Sequence, residues 1–320
     1  MKRREFITLL GGAAAWPVVA RAQTAPVIGF LGLAPASGNA GRIEALRAGL
    51  RELGYVEGGN LAIEFRWVEN PDQLRQFAAD LVQRRVAVIV TSGNVATVAA
   101  KSATSSIPII FSVADDPVRL GLVASFNKPG GNITGVSLIS GALGPKRIEL
   151  LRELVPATTL IAMLVNPTNP AEAQRDEQAA ASAIGQRFLV LTATAERDIE
   201  AAFATLVSQH AGAIIINADS FFTAHRDKII RLAAQYKIPA IYPWREYAEA
   251  GGLMSYGTSF ADSYRQLGVY VGRVLRGVKP ADLPVTQPTR IELVINLTTA
   301  KALGLEISAK LLALSDAIVE

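Results

Sequence analysis

The sequence predicts an α/β protein of two similar Rossmann-like lobes with parallel sheets, joined by three crossover segments. Three observations carry that prediction. The first is an internal duplication: VIGFLGLAPAS from Val27 parallels LIAMLVNPTNP from Leu160, LAIEFRWVEN from Leu61 parallels RFLVLTATAE from Arg187, and AVIVTSG from Ala87 parallels AIIINAD from Ala213. IPIIFSV from Ile107 matches IPAIYPW from Ile238, and Gly130-Gly131 before ITGVS matches Gly251-Gly252 before LMSYG. These five landmarks keep their order at offsets of roughly 120 to 135 residues, too long for a solenoid repeat and suited to an α/β lobe. The second observation is the run of almost continuous Val and Ile in VAVIV and AIIIN. Strands buried on both faces belong to parallel sheets covered by helices. The third is a tail after Gly251-Gly252 with no counterpart after the first half, which supplies the elements a chain needs if it returns to complete both lobes.

The elements follow in order. Val27 to Leu33 reads as a strand, and Ile43, Leu46, Leu50 and Leu53 form one stripe of a helix that stops at Gly54. Leu61 to Trp67 is the next strand. Asn70-Pro71 then opens a helix whose Leu74, Phe77, Ala78, Leu81 and Val82 share a face. Val86 to Asp116 and Gly212 to Glu246 repeat one unit: apolar strand, polar loop opening a helix, and Ile-Pro starting a second strand. In the tail, a helix from Asp262 to Arg276 turns Tyr264, Leu267, Val271, Val274 and Leu275 inward and stops at Gly277. Pro280, Pro284 and Pro288 lead to a strand from Ile291 to Asn296 and a last helix around Thr299 to Leu303. Crossings are placed near Gly135 to Ser140, Ser255 to Thr258 and Pro284 to Pro288. They divide the chain into a first lobe of residues 26–137 plus 258–284 and a second of 138–257 plus 285–320.

The N-terminal residues concern location. Lys2-Arg3-Arg4-Glu5-Phe6, an apolar run from Phe6 to Ala15, and Ala20-Arg21-Ala22 make a positive region, a short apolar region and a small-x-small cleavage site. Residues 1–22 therefore predict an export signal, with the paired arginines pointing to the twin-arginine route and cleavage before Gln23. The apolar run is far short of the ~20 residues that span a bilayer. A periplasmic protein without stable membrane insertion after cleavage is expected. Of the net charge of +4, Lys2, Arg3, Arg4 and Arg21 against Glu5 account for most. The near-neutral remainder offers no electrostatic reason for a nucleic-acid or anionic-membrane partner. With no cysteine in the chain, disulfides, thiolate nucleophiles and cysteine metal sites are excluded.

Catalytic signatures are missing. There is no G-x-S-x-G elbow, the closest being Leu253-Met254-Ser255-Tyr256-Gly257, and neither phosphate-binding glycine motif occurs. His210 and His225, the two histidines, read as surface residues, and no metal, cofactor or enzyme activity is expected. Attention moves to the loops at the carboxyl ends of the strands, where open α/β sheets bind ligands. These supply Ser37, Thr91, Ser92, Gly93, Asn94, Ser112 and Asp115 from the first lobe, and Asn166, Asn217, Asp219, Tyr242 and Trp244 from the second. Ser92, Gly93 and Asn94 stand at a helix start that suits a carboxylate, or simply caps that helix. Asp219 suits an ammonium group, or caps the helix after Ser220. Tyr242 and Trp244 suit stacking on a ring, or closing the cleft as packing.

SVADDPVRLGLVASFNKPGGNITGVS (Ser112 to Ser137), YPWREYAEAGGLMSYG (Tyr242 to Gly257) and ELVINLTTAKALGL (Glu292 to Leu305) together resemble the periplasmic substrate-binding proteins of ABC transporters, in the family with tryptophan- and tyrosine-binding members. The resemblance covers nearly all of the chain after the signal. It implies a type I periplasmic-binding-protein fold closing on a solute; our own reading of the cleft is a small polar solute, an amino acid or related carboxylate, with aromatic ones among the candidates. The resemblance also implies delivery to an ABC permease and its ATPase. One departure is Ala114-Asp115-Asp116-Pro117, where relatives commonly read Gly-Asp-Pro. A periplasmic sensor for a membrane histidine kinase, and an exported α/β enzyme, are the competing classes. A repressor of the same fold would need a DNA-binding headpiece where the export signal stands.

Overall fold

The computed structural model describes residues 25–33, 40–68, 70–138, 140–169 and 173–320. The expected export signal and Ser37 lie outside the described residues.

The first sheet holds β1 (Val27–Leu33), β2 (Ala62–Val68), β3 (Val88–Ser92), β4 (Ile109–Val113) and β5 (Ile133–Ser137) in the order β2-β1-β3-β4-β5, all parallel. Parallel neighbours need a crossover to regain the starting end. Helices α1 (Ala40–Glu52), α2 (Leu74–Gln83) and α3 (Asn94–Ala103) supply three of them. Ile43, Leu46 and Leu50 of α1 are buried, and Gly54 ends its turn at φ +81°, a conformation that side chains resist. The side chain of Asn70 accepts from the Asp72 amide at the entry to the second helical stretch.

The second sheet joins β6 (Leu160–Val165), β7 (Arg187–Thr192), β8 (Ala213–Ile216), β9 (Ala240–Tyr242), β10 (Met254–Thr258), β11 (Ile291–Asn296) and β12 (Ala317–Val319) in the order β12-β11-β10-β9-β8-β6-β7. Its helices are α4 (Gly144–Leu154), α5 (Ala173–Ala183), α6 (Glu196–Ser208), α7 (Ser220–Ala224), α8 (Arg226–Gln235) and α9 (Arg245–Glu249). In both sheets the central strands are buried on both faces, as their Val and Ile runs require. The helix expected from Asp262 becomes α10 (Phe260–Leu275), and α11 (Leu297–Ala302) and α12 (Ala309–Leu314) close the chain. α12 and β12 escape sequence reading because six and three residues are too few to show a period.

One strand departs from the parallel expectation: β11 runs antiparallel to β10, with Thr258 opposite Ile291. The cause is its route. β10 ends at the boundary between lobes, α10 packs in the first lobe, and the chain re-enters the second sheet at that same boundary, so β11 must run the other way. α10 docks on α1 through two glycines. A Cβ on Gly268 would lie 2.2 Å from the Leu46 carbonyl oxygen, and one on Gly49 would lie 1.9 Å from that of Arg265. The backbones touch there, which only glycine permits.

The three connections lie side by side. Thr286 donates its amide to Gly135 and accepts from the Ser137 amide at 2.9 Å, and Thr258 Oγ1 bonds the Leu138 carbonyl at 3.3 Å. Arg147 of α4, fully buried, ties two of them. Its Nε donates to the Tyr256 carbonyl at 2.9 Å, and its two Nη atoms reach the carbonyl and hydroxyl of Ser140. Burial pulls this guanidinium down to about 10 against the opposing charge of Glu177.

Candidate functional site

The carboxyl ends of both sheets face each other across a cavity of about 40 Å³, room for about three waters. On the first-lobe side, β3 ends in Ser92-Gly93 and α3 starts at Asn94. Gly93 takes φ +93°, and a Cβ there would stand 2.3 Å from Ser220 Oγ of the opposite lobe. On the second-lobe side, β8 runs into Asp219 at the N-cap of α7.

A polar chain spans the gap. Asn94 Nδ2 donates to Asp115 Oδ2 at 2.6 Å and to Asn169 Oδ1 at 2.9 Å. Asn169 Nδ2 donates to Asp219 Oδ2 at 2.9 Å, and Asn166 Nδ2 reaches Asp219 Oδ1 at 3.3 Å. Asp219 Oδ1 also accepts from the amides of Phe221 and Phe222. Burial pushes the Asp219 carboxyl above its ordinary value, with Asn166, the two amides and Asn169 pulling the other way. Burial likewise raises Asp115, opposed by its bond from Asn94 and by Arg119, while the charges of Asp219 and Asp116 add to the rise. Desolvation disfavours the charged form of each acid, and a cation in the gap would offset that cost.

The opposite wall is aromatic. Trp244 and Phe260 meet at 4.2 Å between ring centroids, tilted by 42°, and Phe260 lies edge-on to Tyr264. The guanidinium of Arg42, on the first turn of α1, lies 3.6 Å from the Phe260 ring centroid. Cation and ring attract each other in this arrangement.

Of the residues expected at the cleft, Ser92, Gly93, Asn94, Ser112, Asp219 and Trp244 line the cavity. Asp115 and Asn166 stand one bond behind, holding Asn94 and Asp219. Three expected residues are turned away. Thr91 is fully buried and bonded to Thr97 at 2.8 Å. The Asn217 side chain accepts from the next backbone amide, that of Ala218, at 2.7 Å. Tyr242 stacks on Tyr247 at 4.8 Å within the core, where burial pushes its hydroxyl far up. A strand alternates its side chains between faces, so residues near a strand end do not all reach the cleft. Of the two alternatives for Asp219 the capping one is present: Oδ1 caps α7, while Oδ2 accepts from Asn169 in the gap. Ser92 shares a 2.5 Å hydroxyl contact with Tyr264. His225 Nδ1 sits 2.9 Å from the Phe221 carbonyl, one turn back, beside the Phe221 ring.

Arg42, Asn169, Ser220, Thr223 and Phe260 line the cavity without having been singled out. Asn169 stands three residues after the expected Asn166. Arg42 left no signal, because an arginine one step from an apolar stripe looks like the solvent face of a helix.

Comparison with known proteins bears on this geometry. Residues 38–319 match the model of a family described as ABC transporter substrate binding protein. A tyrosine-binding protein of Clostridioides difficile (strain R20291) is 27% identical over 260 residues, covering 80% of this chain and 74% of its own. The solved structure of an ABC domain in complex with L-Trp from Streptococcus pneumonia, 24% identical, covers 92% of this chain and 99% of its own at a TM-score of 0.84. The ligand-free, open structure of a substrate binding protein with adhesive properties from Clostridium difficile, 22% identical and with the same coverage, aligns at a TM-score of 0.64.

Proposed function

The chain belongs to the ABC transporter substrate-binding proteins, which bind a small solute rather than transform it, and we propose that its solute is an amino acid with an aromatic side chain, handed to an importer permease. The fold is that of type I periplasmic binding proteins. The observation that carries the proposal is Asp219, a buried carboxylate lining the gap between lobes and held by Asn166 and Asn169. A ligand ammonium is the natural counter-charge to such a group. Trp244 and Phe260 supply an aromatic wall beside it, and the relatives named for tyrosine and L-Trp lend support.

A cavity of about 40 Å³ does not admit an amino acid, so the lobes part to load and close over the solute. The lobes lie together here, and the chain aligns better with the L-Trp complex than with the open, ligand-free structure. That difference fits lobes that move as bodies about the three connections. Among the described residues no helix is long and apolar enough to cross a membrane. Export through the segment before Gln23 suits a receptor that collects solute outside the inner membrane.

Calorimetric titration against the twenty amino acids tests the proposal. Tyrosine or tryptophan is expected to bind with one-to-one stoichiometry. No binding by any amino acid would remove the assignment.

A further inference from the structure

The connections between the lobes stand between two cavities. Leu138, on the first connection, lines the cleft cavity, while Val136, two residues earlier, lines a second cavity of about 300 Å³. Asp262 and Gln266 of α10 form one wall of this second space, and the third connection from Thr286 to Arg290 forms another. At about 3.6 residues per turn, Asp262 and Gln266 stand across α10 from Phe260 and Tyr264, the rings of the cleft wall. The start of α10 thus has the cleft on one side and the second cavity behind it. That back cavity also spans the lobes, because α10 packs on α1 of the first and Arg290 pairs at 3.0 Å with Glu292 on β11 of the second. The two sides are filled very differently. Across the cleft the lobes touch: a Cβ on Gly93 would lie 2.3 Å from Ser220 Oγ, and Asn94 bonds Asn169. Behind the connections they do not, although packed protein holds few voids larger than a water.

We propose that the back cavity is the space into which the lobes rotate when the cleft opens, so that whatever fills it holds the receptor closed and tightens its grip on the solute. Rigid lobes turning about connections that lie between two spaces change those spaces in opposite senses: as the cleft widens, the back narrows. This rests on the lobe closure proposed above and adds to it the groups that set the balance between open and closed. A receptor whose binding-competent form is only partly populated binds more weakly in proportion to that fraction. Gln266 and Thr289, on facing walls of the back cavity and remote from the cleft, therefore control affinity without touching the solute.

The test fills the cavity with a side chain and reads ligand-free protein first. Gln266 is half-buried and Thr289 is exposed at the rim, so Gln266→Trp and Thr289→Trp bring an indole to the space from two different walls. Each is expected to give a smaller radius of gyration in solution scattering than ligand-free wild-type protein. Affinity for L-tyrosine or L-tryptophan should rise with it, by about tenfold if about one ligand-free molecule in ten is closed. Ser220→Leu places the wedge on the other side, against Gly93, and is expected to enlarge the radius and weaken binding. A melt of each variant confirms that the sample is folded, and either filling variant serves if the other does not fold. A folded filling variant whose radius is unchanged or larger overturns the role of the back cavity. So does a change of the same sign in the filling variants and in Ser220→Leu. No binding of any amino acid to the wild type overturns the amino-acid assignment, while the ligand-free radii still decide whether this cavity governs closure.

Discussion

Asp219 shows how one side chain serves structure and site together. Its Oδ1 caps α7 through the amides of Phe221 and Phe222, and its Oδ2 faces Asn169 in the gap. Asp219→Asn separates the two, because asparagine caps a helix about as well as aspartate but carries no charge. The melting temperature should hardly change, whereas affinity for an amino acid should fall by about tenfold to a hundredfold. Unchanged affinity in calorimetry would take the ammonium away from Asp219. The pH dependence has a definite sign. Burial raises the Asp219 carboxyl above 3.8, so it takes up a proton at a higher pH than an ordinary carboxylate. Affinity should drop as pH falls through that raised value, and Asp219→Asn should lack its share of the drop. For stability the sign reverses: the folded state binds the proton more tightly, so this group's contribution is greatest at low pH and declines as pH rises from 3.8 through the folded value.

At the scale of elements, the contact between α1 and α10 depends on two glycines whose Cβ positions are filled by the facing backbone. Gly268→Ala would have to push the helices apart, since a carbonyl oxygen cannot rotate away. Overpacking of this kind costs about 1 to 3 kcal/mol, which a thermal melt would register as a loss of several degrees. Gly41 is the control. It lies in the same α1 with nothing within 4 Å of its Cβ position, so Gly41→Ala should be neutral or stabilise by up to about 1 kcal/mol. Equal melting of the two variants would mean that the helices do not pack through their backbones. α10 matters beyond the first lobe, because Phe260 and Tyr264 on its first turns carry the aromatic wall on which Arg42 lies.

For the whole molecule, the closure we propose would be held in part by the bond from Asn94 to Asn169 across the gap. Removing that amide in Asn169→Ala should shift ligand-free protein toward the open form and enlarge its radius of gyration in solution scattering. Saturating wild-type protein with a bound amino acid should shrink it, because contacts from both lobes exist only when they are closed. Superimposable wild-type curves with and without a bound amino acid would contradict closure. The buried Arg147, joined to Ser140 and Tyr256, ties two of the connections together.

The duplicated lobes, the parallel strands and the cleft-facing loops were legible in the sequence, because each is written in short-range patterns. Val and Ile runs such as Ala213 to Ile216 declare burial on both faces, and repeated landmarks declare two copies. Which loop residues would meet was not legible, since Thr91 and Ser92 are neighbours in sequence and point to opposite faces of one strand. The reversal of β11 was decided by where the chain re-enters the second sheet, and the place of Arg42 by the packing of Phe260 from a helix more than two hundred residues away. Local pattern determines what an element is; only the tertiary structure decides what stands opposite it, because opposition arises from segments that sequence order keeps far apart.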